Sequence, residues 1–92
     1  MWRVNGAISG RIFTLNCVLE ESTGVCTDAS PGGHSHPLAS LSGSGNRLAW
    51  SFKTRVAFLT VTLAFAGLVA GEHMSGTMTA AGRSGTFTAV RR

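Results

Sequence analysis

His34-Ser35-His36 is the segment of this chain best equipped for chemistry. In an extended strand, the two histidines of such a triplet point to one face, where a pair of imidazoles can chelate zinc or copper. Two ligands do not complete a zinc site, so Asp28 or His73 would have to arrive from another turn. Gly32-Gly33 before the triplet and Pro37 after it predict a loop carrying solvated histidines. A hydrolytic reading draws on the same residues: Asp28 orients His34 or His36, and Ser35 is the adjacent hydroxyl. No nucleophile elbow or comparable signature frames that set, and triads are recognised by geometry rather than by residue type. Glu20, Glu21 and Glu72 fall in turns, where they serve turn chemistry and solubility. A small hydrolase or metal-binding protein built on the His34/His36 loop is therefore an alternative. The leading expectation is a non-enzymatic module with no catalytic residue, metal or cofactor.

Cys17 and Cys26 are the other reactive pair, and their spacing does not form a Cys-x-x-Cys site. Glu21-Ser22-Thr23-Gly24 suits a type I turn closed by a left-handed Gly24. That turn pairs Glu21 with Val25, sets Cys17 opposite Ala29 and puts the two thiols on opposite faces. A two-residue turn at Glu21-Ser22 would instead place Cys17 across from Cys26, within reach of a disulfide. Gly24 favours the first turn, so free thiols are expected.

The elements that must position these residues are strands. The chain of 92 residues is 43% hydrophobic and 13% charged, which suits one folded domain over residues 1–92 rather than a disordered chain. Twelve glycines, two prolines and frequent alternation of Thr or Ser with apolar residues describe short strands joined by tight turns. Turn signals lie at Asn5-Gly6 with Ser9-Gly10, Glu21–Gly24, Ser30–Pro37, Ser42–Asn46, Lys53–Arg55, Gly71-Glu72 and Ala81–Gly85. Between them the sequence predicts strands near Trp2–Asn5, Gly10–Glu20, Gly24–Ala29, Leu38–Ser42, Arg47–Lys53, Ala57–Ala70, His73–Ala80 and Gly85–Arg91. Every connection is short enough to join antiparallel neighbours. The expected fold is all-β: an up-and-down meander of about eight strands closed into a small barrel.

Alternation assigns the faces. Phe13, Leu15, Cys17 and Leu19 form one inward row, and Leu48, Trp50 and Phe52 another. Leu59, Val61, Leu63, Phe65, Gly67 and Val69 continue it, followed by Met74, Gly76 and Met78, then Gly85, Phe87 and Ala89. Turns centred on Gly71-Glu72 and Ala81-Gly82 set Gly67 beside Gly76, and Gly76 beside Phe87, so Phe87 can lie across a groove left by missing side chains. Ser-Gly recurs in Ile8–Leu15, Met74–Ala80 and Arg83–Val90, as in a sheet bent by glycine at similar places.

Three segments, FTLNCVLEESTG, SGSGNRLAWSF and AFAGLVAGEHMSGTMTAAGRSGTFTAVR, resemble a family of small uncharacterised bacterial β-barrel domains. Its pattern is an FTL strand, a G-N-x-L-x-F strand, F-x-G-x-V-x-G-x-x-M-S-G-T and G-x-F-x-A-x-R. The matching positions are Phe13–Leu15, Gly45–Phe52, Phe65–Thr77 and Gly85–Arg91; Thr27–Ser40 matches least. The resemblance implies a lipocalin-like or avidin-like meander barrel and carries no activity.

Function is bounded by what the surface offers. The formal net charge is +4, but the bases Arg3, Arg11, Arg47, Lys53, Arg55, Arg83, Arg91 and Arg92 are dispersed. The aromatics are needed inside, so no nucleic-acid site is expected. Val56–Gly71 is uncharged but short for a spanning helix and alternates like a strand, so no membrane span is expected. No signal peptide is visible, which leaves the compartment unassigned, cytoplasmic by default. The interior is either packed solid or holds one small apolar ligand. Such a ligand would meet Trp50, Phe52, Phe65, Gly76, Met78 and Phe87, with Arg11 at the mouth receiving an anionic head group. The alternative from another class is an assembly module, a homo-oligomer joined through the outer face of Ala64, Ala66, Leu68 and Ala70.

Overall fold

A computed structural model describes residues 1–20, 22–29, 32–56 and 58–92. Eight antiparallel strands follow one another in chain order: β1 (Trp2–Ile8), β2 (Arg11–Leu19), β3 (Gly24–Asp28), β4 (Ser35–Ser44), β5 (Arg47–Val56), β6 (Leu59–Ala70), β7 (His73–Ala80) and β8 (Arg83–Arg91). Each pairs with the next and β8 pairs with β1, so the meander closes into the expected barrel. The alternation of apolar and hydroxyl side chains produces this closure. Apolar rows fill the interior, while the outer rows exchange cross-strand hydrogen bonds, Thr14 Oγ1 to Asn5 Oδ1 at 2.8 Å and Ser40 Oγ with Ser51 Oγ at 2.6 Å. No helix among the described residues is long and apolar enough to cross a membrane.

Two-residue turns set the registers. Ser9-Gly10 and Ala81-Gly82 have positive φ at both positions, as a type I′ turn requires. Gly71-Glu72 and Gly45-Asn46 have a glycine of positive φ first, as in type II′. The registers of β6, β7 and β8 agree with the sequence reading: Val69 faces Met74, Gly67 faces Gly76, Phe65 faces Met78 and Phe87 lies beside Gly76. Asn5-Gly6 is not a turn but the middle of β1, because Gly6 is an inward position flanked by Phe13 and Phe87. A Cβ there would lie 2.3 Å from Phe13 Cζ. The ring of Phe13 occupies the volume that a side chain would need. The Ser-Gly echoes also differ in role, since Ser9-Gly10 is a turn whereas Gly76 and Gly85 lie within strands.

The β2–β3 hairpin departs from expectation. The Glu20 amide donates to the Thr23 carbonyl at 2.9 Å, and Leu19 pairs with Gly24, so the chain takes the tighter turn. Glu21 lies outside the described residues. Cys17 then faces Cys26 directly, both are fully buried, and they form a disulfide. The expectation of free thiols is therefore wrong. A hydrogen-bonded two-residue closure outweighed the conformational preference assigned to Gly24, and it moved the register by three positions.

The middle of the barrel is solid. The Trp50 and Phe65 rings stack with centroids 5.0 Å apart, and Phe87 stands edge-on to both at 5.5 Å. Phe52 stacks on Phe65 at 5.9 Å. Met74, Met78, Leu15, Val4 and Ala89 complete the buried core. Among the described residues Trp50 Nε1 has no hydrogen-bond partner, a desolvation cost that the ring packing offsets. Six residues expected around a ligand (Trp50, Phe52, Phe65, Gly76, Met78 and Phe87) are thus the core itself, packed on one another.

Candidate functional site

The two ends of the barrel differ. One end, here called the terminal end, gathers both chain termini, the Glu20–Thr23 turn, Gly45-Asn46 and Gly71-Glu72. The other, the hairpin end, carries Ser9-Gly10, the β3–β4 connection, the β5–β6 turn and Ala81-Gly82.

At the terminal end the interior opens. β3 is short, and its ladder with β4 runs only from Thr27–Ser35 to Val25–Pro37. β4 continues to Ser44 beyond the start of β3, with a bulge at Ala39 that turns both Leu38 and Leu41 inward. The wall between the β2–β3 turn and the end of β4 is therefore incomplete. A cleft of about 560 Å³ enters there, lined by Trp2, Leu19, Leu48 and Val69 at its base and by Glu20, Arg47 and Arg91 at its rim. Gly43, an inward position opposite Leu48, leaves room in its wall. The Arg91 guanidinium sits over the Trp2 ring, 4.7 Å from its centroid. Cation–π attraction holds the guanidinium on the ring face. The termini are zipped beneath it: Arg92 N donates to the Met1 carbonyl at 2.7 Å, and Arg91 N to the Glu72 carbonyl at 2.8 Å. The rim carries two guanidiniums, Arg47 and Arg91, against one carboxylate, Glu20, with Ser44, Gly45 and Asn46 beside them, so its net charge is positive. The volume is that of ordinary small-molecule sites, about 300–1,000 Å³.

Arg11, the residue expected at a mouth, begins β2 at the hairpin end and is exposed there. Its inward parity is as expected, but it lies at the end opposite the cleft. Arg91 occupies the corresponding place at the terminal mouth. The sequence carried a signal for it, since Arg91 continues the row Gly85, Phe87, Ala89.

The histidines separate. His36 is in β4 rather than in a loop, faces Cys26 across the ladder and points inward. Its Nε2 lies 3.1 Å from Asp28 Oδ1, and its ring stacks on Phe52 at 4.9 Å. His34 lies before the strand, and its amide donates to Asp28 Oδ2 at 3.3 Å while the Asp28 amide donates to the His34 carbonyl at 3.0 Å. Asp28 thus closes the β3–β4 connection; Ser30 and Pro31 within it lie outside the described residues. Ser35 takes the outer face and meets Thr27 Oγ1 at 3.1 Å, so it cannot serve the Asp28–His36 pair. His73 begins β7 at the terminal end. Among the described residues no three His, Cys, Asp or Glu side chains come together as a metal site would need.

A third feature is on the outer wall. Ser42, Ala49, Ala66 and Thr77 line up across β4 to β7, and their small side chains leave an open depression of about 500 Å³ bordered by Leu68. No family model, curated protein or solved structure matches the chain.

Proposed function

We propose that this chain is a non-enzymatic binding barrel that holds a small, mainly apolar anion in the mouth at its terminal end. The observation that supports it is the cleft over Trp2, Leu48 and Val69 with Arg91 at its rim. The filled aromatic centre limits how deep such a ligand enters, so the ligand lies at the mouth and not in the middle of the barrel. Burial of apolar area supplies the affinity, and the guanidinium selects an anionic group.

Titration with anilinonaphthalene sulfonate, an apolar fluorescent anion, tests this. Saturable enhancement is expected, weakened at least tenfold in Gly43→Leu, whose side chain fills the mouth. A Cβ at Gly43 meets Leu48 Cδ1 at 3.4 Å, an ordinary contact, so the position accepts a side chain, and an unchanged strand spectrum of Gly43→Leu checks that the variant folds. Arg91→Gln should weaken binding less, because it leaves the apolar base intact. No saturable signal, or one unchanged in Gly43→Leu, defeats the proposal.

The outer depression favours a second reading, assembly of copies through β4–β7, with Leu68 about half exposed beside it (51%). Light scattering decides between them. A dimer that Ala66→Lys returns to monomer supports assembly, and a monomer at every concentration removes it.

A further inference from the structure

The β5–β6 hairpin outruns the barrel. The β4 ladder on β5 ends at Phe52, and the β7 ladder on β6 ends at Leu63, whereas β5 and β6 go on pairing to Val56 and Leu59. Four residue pairs therefore continue as a ribbon paired only with each other, about 13 Å at the usual rise per residue, with Thr54 and Val61 half-buried. Its tip is apolar. Phe58 is 96% exposed and Leu59 70%, the first and third most exposed large apolar side chains among the described residues. The second, Ile12 at 84%, is near the start of β2 at the same end of the barrel. A soluble domain has no folding reason to hold three such side chains in water at one end.

Charge follows the same asymmetry. Lys53 and Arg55 alternate on the outer face of the ribbon, and Arg11 and Arg83 stand at the foot of the barrel below it, all four exposed. Asp28 is the one acid at that end among the described residues, and it is engaged by His36. The sequence from Pro37 to Gly71 contains no acid at all. An apolar tip with cations on its ribbon and on the barrel rim behind it, and one carboxylate, Asp28, held by His36, matches the layered chemistry of an anionic bilayer. Phosphates lie at the depth of the bases, and hydrocarbon lies at the depth of the tip. Phe58 has the shape and rigidity of residues that enter that boundary.

We propose that the hairpin end docks on anionic lipid membranes by inserting Phe58 and Leu59 between headgroups while Lys53, Arg55, Arg11 and Arg83 meet lipid phosphates. This does not depend on the cleft at the opposite end, which docking leaves facing away from the bilayer. A protein groove and a second copy of the chain are the competing occupants of the tip.

Co-sedimentation with vesicles of phosphatidylcholine alone, or containing phosphatidylglycerol, tests the proposal. Binding to the anionic vesicles is expected to exceed binding to the neutral ones at least tenfold and to fall with added salt. Phe58→Ser with Leu59→Ser should lose at least tenfold with the barrel spectrum unchanged, since both side chains are exposed. Lys53→Gln with Arg55→Gln should lose the preference for anionic lipid. In Phe58→Trp, bromine-labelled acyl chains should quench the added fluorescence. The proposal is overturned by no binding to anionic vesicles at low salt, or by binding that survives Phe58→Ser/Leu59→Ser. Self-association in the absence of lipid that the same double variant abolishes would assign the tip to a second copy and equally overturn it.

Discussion

Phe87 shows how a single side chain closes this barrel. Its ring covers Gly67, where a Cβ would lie 2.9 Å from Phe87 Cζ, and it stands edge-on to Trp50 and Phe65. Phe87→Ala is expected to cost about 3–5 kcal/mol in chemical denaturation, as for a fully buried aromatic. Gly76 is needed for a different reason than the register alone suggests. A Cβ there would lie 2.0 Å from the Ala66 carbonyl oxygen and 2.6 Å from Gly67 Cα. Backbone, not the ring of Phe87, occupies the space, so even Gly76→Ala forces β6 and β7 apart and should cost about 1–3 kcal/mol or more. Gly43→Ala, which meets only ordinary contacts, should stay within about 0.5 kcal/mol of the parent. Comparable stabilities for the two glycine variants would contradict this packing. The pairing of Gly76 with Phe87 was legible in the sequence because two turns with strong glycine signals fixed it independently. The close approach of β6 to β7 was not, since coiling of a sheet leaves no mark on any one residue.

Hairpins were legible in proportion to their turn chemistry. His73–Ala80 was bounded correctly from sequence, and the inward rows of β2, β5, β6, β7 and β8 have the expected parity, except that Leu59, expected to face inward, lies beyond the neighbouring ladders and is exposed. Where two turn types compete within one segment, a shift in register moves every side chain of the strand. The β2–β3 turn was that case, and it decided whether the cysteines meet. Titration of the unreduced, denatured protein should find no free thiol; two would contradict the register of Cys17 with Cys26. Cys17→Ala with Cys26→Ala should lower stability by about 2–3 kcal/mol on loop-entropy grounds. His36 was misplaced because Pro37 signals a break, yet proline is tolerated at the last pair of a short ladder. The β5–β6 ribbon was read as a turn at Lys53–Arg55, and its strand pairing in fact continues to Val56 and Leu59; Ala57, expected to begin β6, lies outside the described residues.

At the scale of the whole molecule, one barrel presents two unlike ends around a solid middle. Circular dichroism should show strand and almost no helix, and a helical spectrum would contradict the meander. The sequence showed the inward rows of Phe, Trp and Met but left open whether they pack solid or enclose a ligand; in the structure they pack on one another. The sequence could not show the terminal cleft, which arises from the unequal lengths of β3 and β4 and from the bulge at Ala39, a difference no local pattern encodes. The proposed binding lies at that cleft. It is tested most directly by amide chemical-shift mapping during titration with anilinonaphthalene sulfonate. Shifts are expected to concentrate at Trp2, Leu19, Gly43, Asn46, Val69 and Arg91. Shifts centred on Ala49, Ala66 and Thr77, or on the Asp28–His36 pair, would contradict it.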